Sequence, residues 1–187
     1  MEIQRIIKLL IDGKIGVIPT DTIYGIVGSA LNLSTVERIY LLRKRNLDKP
    51  FIILIGSIDD LEKFEVHLTE KQKDFLTNHW PNPLSVVLPV KVEKFEYLHR
   101  GTNSLAFRMP KDHNLLSIIN SVSPLVAPSA NIESEKPSET IDETKKYFGD
   151  EVDFYLDGGT IKSEASTLIS LNEDGTFIVL RQGSFRV

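Results

Sequence analysis

The chain has 187 residues, 41% of them apolar, and a net charge of −4 from 22 Lys plus Arg against 26 Asp plus Glu. That length suits one domain, or one domain plus a lobe, with enough apolar residues for a core. The absence of cysteine excludes disulfides, thiol catalysis and cysteine-held zinc or iron–sulfur centres, and the slight acidity argues against general nucleic-acid coating while leaving room for a basic pocket.

The first segment repeats apolar residues at helical spacing (Ile3, Ile6, Ile7, Leu10 and Ile11), which predicts a helix ended by Asp12 and Gly13. It is too short and too charged for a signal peptide. No apolar run reaches the roughly 18 residues of a membrane span. The expectation is therefore a cytoplasmic protein with no membrane contact. Residues 15–18 read as a short strand stopped by Pro19. Ser34-Thr-Val-Glu37 has the form of a capping box and predicts a helix over 34–45. Residues 51–55 form a continuous apolar run, expected as a strand buried on both faces. Thr69-Glu-Lys-Gln72 is a second capping box, opening a helix over 69–80. Strands are expected at 84–90 and 105–109, a short helix at 115–122, and a strand at 125–127 ended by Pro128. Thr140-Ile-Asp-Glu143 caps a helix over 140–148. The last strands are 154–156, 167–171 and 177–180, with Asp174-Gly175 as a hairpin turn. No linker or repeat divides the chain. The reading is one α/β domain, residues 1–187, in which helices pack against a mixed sheet.

Polar residues gather at the ends of these apolar runs, where α/β proteins build sites. Thr20, Thr22 and Tyr24 share a face if the chain stays extended, and could hold a small polar ligand; an ordinary turn fits them equally well. Arg43, Lys44, Arg45 and Lys49 suit a helix C-terminus or a polyphosphate. Arg108, between Phe107 and Met109, calls for an anionic partner. Ser129 and Asn131 offer compact donors and acceptors after a strand, and Arg181 ends another. Asp157-Gly-Gly159 and Ser166-Thr167 frame a loop at 160–165, and Asp157 could hold Mg²⁺ through oxygen. Residues 101–104 and 132–138 are further candidate functional loops. The four histidines, His67, His79, His99 and His113, lack metal-ligand spacing, so no protein-held metal is expected. No phosphate-binding GxxxxGK[ST] loop, GxGxxG fingerprint or GxSxG elbow occurs.

Taken in order, these segments resemble the YrdC-like family. The matching stretches are residues 19–25, 43–54, 104–113, 127–131, 157–159, 166–169 and 181–183. The resemblance implies a twisted mixed parallel and antiparallel sheet with flanking helices around a positively charged cavity. It implies a threonylcarbamoyl-AMP synthase of the short, single-domain form. Such enzymes condense L-threonine, bicarbonate (or CO₂) and ATP, with Mg²⁺ accompanying the ATP, and release pyrophosphate. The product serves modification of adenosine 37 in tRNA, and transient contact with threonylcarbamoyl-transfer proteins follows. Carried onto this chain, Thr20, Thr22, Tyr24 and Ser166 lie by threonine and its carbamoyl end. Arg45, Lys49, Arg108, Ser129, Asn131 and Arg181 bind ATP, with Arg45, Lys49 and Arg108 catalytic. The chain departs from the family's Lys-x-Arg-Pro at Arg43-Lys-Arg-Asn46, which opens the role of Arg43. Two other readings are a non-catalytic RNA-binding module and a hydrogenase-maturation relative. The first is disfavoured by the charge and by few aromatics near the basic residues, the second by the lack of cysteine.

Overall fold

The computed structural model describes residues 2–187. The helices are α1 (Glu2–Ile11), α2 (Leu33–Arg43), α3 (Glu70–His79), α4 (Glu96–His99), α5 (His113–Val122) and α6 (Ile141–Phe148). The strands are β1 (Gly16–Pro19), β2 (Tyr24–Ser29), β3 (Ile52–Leu54), β4 (Leu84–Pro89), β5 (Ser104–Arg108), β6 (Leu125–Val126), β7 (Phe154–Tyr155), β8 (Thr167–Leu171) and β9 (Phe177–Arg181). Two 3₁₀ segments, Ile58–Phe64 and Glu93–Phe95, complete the set. Among the described residues no helix is long and apolar enough to cross a membrane.

The strands form one nine-stranded sheet in the order β7-β1-β2-β6-β3-β5-β4-β8-β9. β7–β1, β3–β5 and β4–β8 run parallel, and the remaining neighbours are antiparallel. The expected mixed sheet is the one observed. Side chains alternate between its faces, because successive Cβ atoms of a strand point to opposite sides. Val17, Ile26 and Ile53 enter one apolar cluster, whereas their neighbours Ile18, Val27 and Leu54 enter the other. Ile6, Ile7 and Leu10 of α1, with Leu115, Ile118 and Ile119 of α5, cover that second face. Their i, i+3, i+4 spacing puts each set on one helix stripe.

Strand β2 departs from the sequence reading. Residues 20–23 do not continue β1 as an extended row; they turn, and Pro19 pairs with Tyr24 across an antiparallel hairpin. The Thr20 N–H donates to Ile23 O at 3.2 Å and the Thr20 hydroxyl donates to the same oxygen at 2.7 Å. Gly25 and Gly28 break the apolar pattern of β2, yet Gly28 is needed there. A Cβ on it would meet Thr35 Cγ2 of α2 at 2.3 Å.

The cap of α2 is also corrected. Asn32, not Ser34, is the N-cap: its Oδ1 accepts from Thr35 N at 3.2 Å, and the Ser34 hydroxyl donates to that same Oδ1 at 2.7 Å. The helix stops at Arg43, because Lys44 turns left-handed at φ 49°. Asn32→Ala is expected to cost about 1 kcal/mol in urea unfolding, and Ser34→Ala less than about 0.5 kcal/mol. The reverse order would restore the Ser34 cap. At α3 the expected box is present, with Thr69 accepting from Gln72 N and Gln72 accepting from Thr69 N. Thr140 caps α6, but the Glu143 carboxylate reaches the Glu139 N–H instead of closing the box.

Candidate active site

A cavity of about 310 Å³ opens on the sheet face that α1 and α5 cover elsewhere. Its floor is made by side chains of one parity: Gly25 of β2, Ala127 after β6, Ile52 of β3, Ala106 of β5 and Leu168 of β8. Gly25, Ala106 and Ala127 are small where the other face carries Ile26, Phe107 and Val126. Missing side-chain volume on the strands therefore creates the cavity. A second cleft of about 700 Å³ adjoins it and shares Ile23, Pro137 and Ala165.

Arg43, Arg45, Arg108 and Arg181 line the cavity, and among the described residues no Asp or Glu does. Each guanidinium is held differently. Arg43, 2% exposed, donates from Nε to Asn131 O at 2.9 Å and from Nη2 to the Ser129 hydroxyl at 3.1 Å and Asn131 Oδ1 at 3.3 Å. Burial, and then the Arg45 charge, lower its pKa to about 10 against the opposing pull of Glu133, so it stays cationic at neutral pH. Arg108 is buried against Asp21, with Nη2 to Oδ1 at 3.2 Å, and donates from Nη1 to the Thr22 hydroxyl at 3.3 Å. Burial lowers its pKa, Asp21 opposes this, and the nearby charge of Arg181 adds to it. Arg181 donates from Nη2 to Ser166 O at 2.8 Å. Among the described residues Arg43 Nη1 and Arg108 Nε find no acceptor. Buried donors are almost always paired, so two unpaired ones at a polar cavity suit ligand oxygens.

Hydroxyls stand beside these cations. Thr20 and Thr22 Oγ1 lie 3.1 Å apart. They converge through the hairpin turn rather than through an extended row. Ser129 is drawn alongside β2, where Ile26 N donates to Pro128 O at 2.9 Å and Ala130 N to Tyr24 O at 2.8 Å. Ser166 hydrogen-bonds the buried hydroxyl of Ser85 at 2.8 Å.

The family model described as "Telomere recombination" (Sua5, YciO and YrdC) matches residues 8–183. This chain belongs to the Sua5/YciO/YrdC family. It is 35% identical over 165 residues to the threonylcarbamoyl-AMP synthase of Pyrococcus abyssi, across 87% of this chain and 48% of that protein. It is 30% identical to a putative threonylcarbamoyl-AMP synthase of Methanocaldococcus jannaschii, across 94% of this chain and 83% of that one. The chain thus spans about half the length of the first relative and most of the second. P. abyssi Sua5 complexed with L-threonine superposes with a TM-score of 0.88 at 31% identity, covering 97% of this chain and 54% of that one.

Of the residues carried over from the Sua5/YciO/YrdC motifs, Thr20, Thr22, Arg45, Arg108, Ser129, Ser166 and Arg181 meet around the cavity. Three others do not line it. Tyr24 points to the opposite side of its strand, where its hydroxyl accepts from Gly158 N at 2.9 Å and donates to Gly159 O at 2.7 Å. Burial raises its pKa, so it stays protonated as a brace for the Asp157–Gly159 turn. Asn131 is buried with its side chain committed: Nδ2 donates to Ile132 O at 2.8 Å and to Glu135 O at 2.7 Å, and Oδ1 accepts from Arg43. Lys49 lies outside the lining, and its ammonium pairs with Glu133 at 3.0 Å. Glu133 also contacts Arg45 at 3.6 Å and accepts from Asn46 N. That N–H and the Lys49 ammonium hold its carboxyl below the usual range.

The structure adds Asp21 and Glu133 to the candidate set and gives Arg43 a role. Arg43 organises Ser129 and Asn131, Asp21 anchors Arg108, and Glu133 pairs with Arg45 and Lys49. Asp21 sits within residues 19–25 but shows its role only through a contact 87 positions away. Glu133 lies in the candidate loop at 132–138, but nothing local singles it out there. As for metal donors, Asp157 Oδ1 accepts from Gly159 N at 2.8 Å and Asp157 is not in the lining. Among the described residues no three His, Cys, Asp or Glu side chains gather as ligands. The loop at 101–104 starts β5, and Arg108 ends it, so the loop lies away from the cavity.

Proposed function

We propose that this protein is an L-threonylcarbamoyladenylate synthase. It condenses L-threonine, bicarbonate (or CO₂) and ATP, and releases pyrophosphate. The observation that carries this reading is the meeting of four arginines with Thr20, Thr22, Ser129 and Ser166 around one cavity, with the carboxylates of Asp21 and Glu133 set behind Arg108 and Arg45 rather than in its lining. The relatives' names and the L-threonine complex of P. abyssi Sua5 support the choice of substrates.

The chemistry needs no protein nucleophile. The neutral amine of threonine attacks carbon dioxide (or bicarbonate, with loss of water); an N–C bond forms and the amine gives up a proton. A carbamate oxygen then attacks the α-phosphorus of ATP. An O–P bond forms, the bond from that phosphorus to the β-bridging oxygen breaks, and pyrophosphate leaves with the electron pair. Alignment and charge stabilisation are the protein's contributions. Arg108 and Arg181, beside Thr22 and Ser166, serve the reacting phosphate. Arg45 and the more exposed Lys49 serve the distal phosphates. Arg43 holds Ser129 toward the nucleotide. Among the described residues the lining holds no Asp or Glu, so Mg²⁺ would enter with the nucleotide rather than be held by the protein. The ion's chemistry is to neutralise charge on the β- and γ-phosphates. The product supplies N6-threonylcarbamoyladenosine formation at position 37 of tRNA, through transient contact with transfer proteins.

The deciding experiment measures pyrophosphate release from ATP and Mg²⁺ with bicarbonate and either L-threonine or L-serine. Release that requires both bicarbonate and L-threonine is expected. Folded protein with salt-sensitive RNA binding and no turnover would replace this reading by the RNA-binding one.

A further inference from the structure

Among the described residues Glu133 is the acidic partner of both Arg45 and Lys49. We propose that it is a displaceable competitor of polyphosphate, and that it sets how tightly and how selectively the cavity holds a nucleoside triphosphate. The inference rests on the ATP reading above. In the free protein the carboxylate occupies the two cations that distal phosphates require. A phosphate chain gains them only by moving it away, and a carboxylate left in place beside the phosphates would repel them.

The surrounding backbone allows that exchange. The Glu133 N–H donates to Arg43 O at 2.8 Å, so the residue stays anchored when its side chain swings. Asn131 clips the 131–135 arch from inside through Ile132 O and Glu135 O. Ser134 completes the arch at φ 72°. The Lys49 side chain is 57% exposed, so its ammonium can leave the carboxylate and follow a phosphate. Phosphate oxygens carry more charge than one carboxylate and match the arginine fork, which favours the exchange. A nucleoside monophosphate has no distal phosphate to claim Arg45 and Lys49. It leaves Glu133 where it is, and the competition falls only on nucleotides that carry distal phosphates.

Glu133→Gln isolates the effect, because the amide keeps the side chain's length and an acceptor for Asn46 N but removes the charge. Titration calorimetry with MgATP and with AMP, on wild type and variant, reads it directly. MgATP is expected to bind about three- to tenfold tighter to the variant, with AMP affinity unchanged within about twofold. MgATP bound no tighter than by wild type would make Glu133 a scaffold of the 43–49 loop and overturn the proposal. Equal tightening of AMP would overturn it too, by showing a general field effect. If wild type itself binds no MgATP, the nucleotide reading falls and the competitor with it. Wild-type binding without the predicted change sinks the competitor alone. Should Glu133→Gln melt early, Glu133→Asp, which draws the carboxylate back by one methylene, is expected to shift MgATP affinity in the same direction by less.

Discussion

Arg181→Ala is expected to slow pyrophosphate release about 10²–10³-fold while the protein keeps its fold. Arg181 ends β9, the edge strand of the sheet, and is exposed. Its fork is steadied by Ser166 O, and the side chain lines the cavity. Removing it takes away a cation aimed at the cavity without opening a core. The expected stability change is within about 0.5 kcal/mol, as for most surface substitutions. Arg181→Lys keeps the charge but loses the planar fork, and an intermediate rate is expected. Steady-state kinetics alongside thermal melting separate the two effects. Wild-type turnover in Arg181→Ala would remove this residue from the charge-stabilising set.

Arg108→Ala is expected to abolish turnover and also to lower stability by roughly 3–5 kcal/mol in urea unfolding. The difference from Arg181 lies in burial. The side chains of Arg108 and Asp21 are 5% and 7% exposed, so removing the cation strands a carboxylate in a nearly dry site. The double variant Asp21→Asn with Arg108→Met removes both charges at similar volume. It is expected to recover most of the stability and none of the activity. That outcome assigns the folding cost to the unpaired Asp21 and the lost turnover to the missing guanidinium. A single Arg108→Ala variant as stable as wild type would show that the pair does not bury charge as described.

Local chemistry was legible wherever neighbours in sequence are also partners in space. The box at Thr69 works through residues three apart, and the turn after Asn172 places Gly175 at φ 84°, which glycine tolerates. The apolar runs of β3 and β4 become strands because their pattern matches a sheet largely buried on both sides, and β8 because its residues alternate between buried and half-buried. β2 was not legible, because Gly25 and Gly28 interrupt its apolar run. The packing of α2 against Gly28 shows which element makes the close approach. Short α4 carries too few residues for any periodicity to be read.

For the site, the sequence by itself determined which residue types end the strands: threonines before β2, serine and asparagine after β6, arginines at the ends of β5 and β9. It determined a mixed sheet, since strand runs and helix runs alternate and then close in a hairpin. The tertiary structure alone decided which of these residues share one cavity. Strand order sets Arg108 beside Thr22 and Arg181 beside Ser166, and side-chain parity turns Tyr24 to the far side of its own strand. It alone decided that Glu133 faces Arg45 and Lys49. Charge interactions act through space, so a carboxylate 84 positions from its ammonium leaves no trace in the local pattern of either segment.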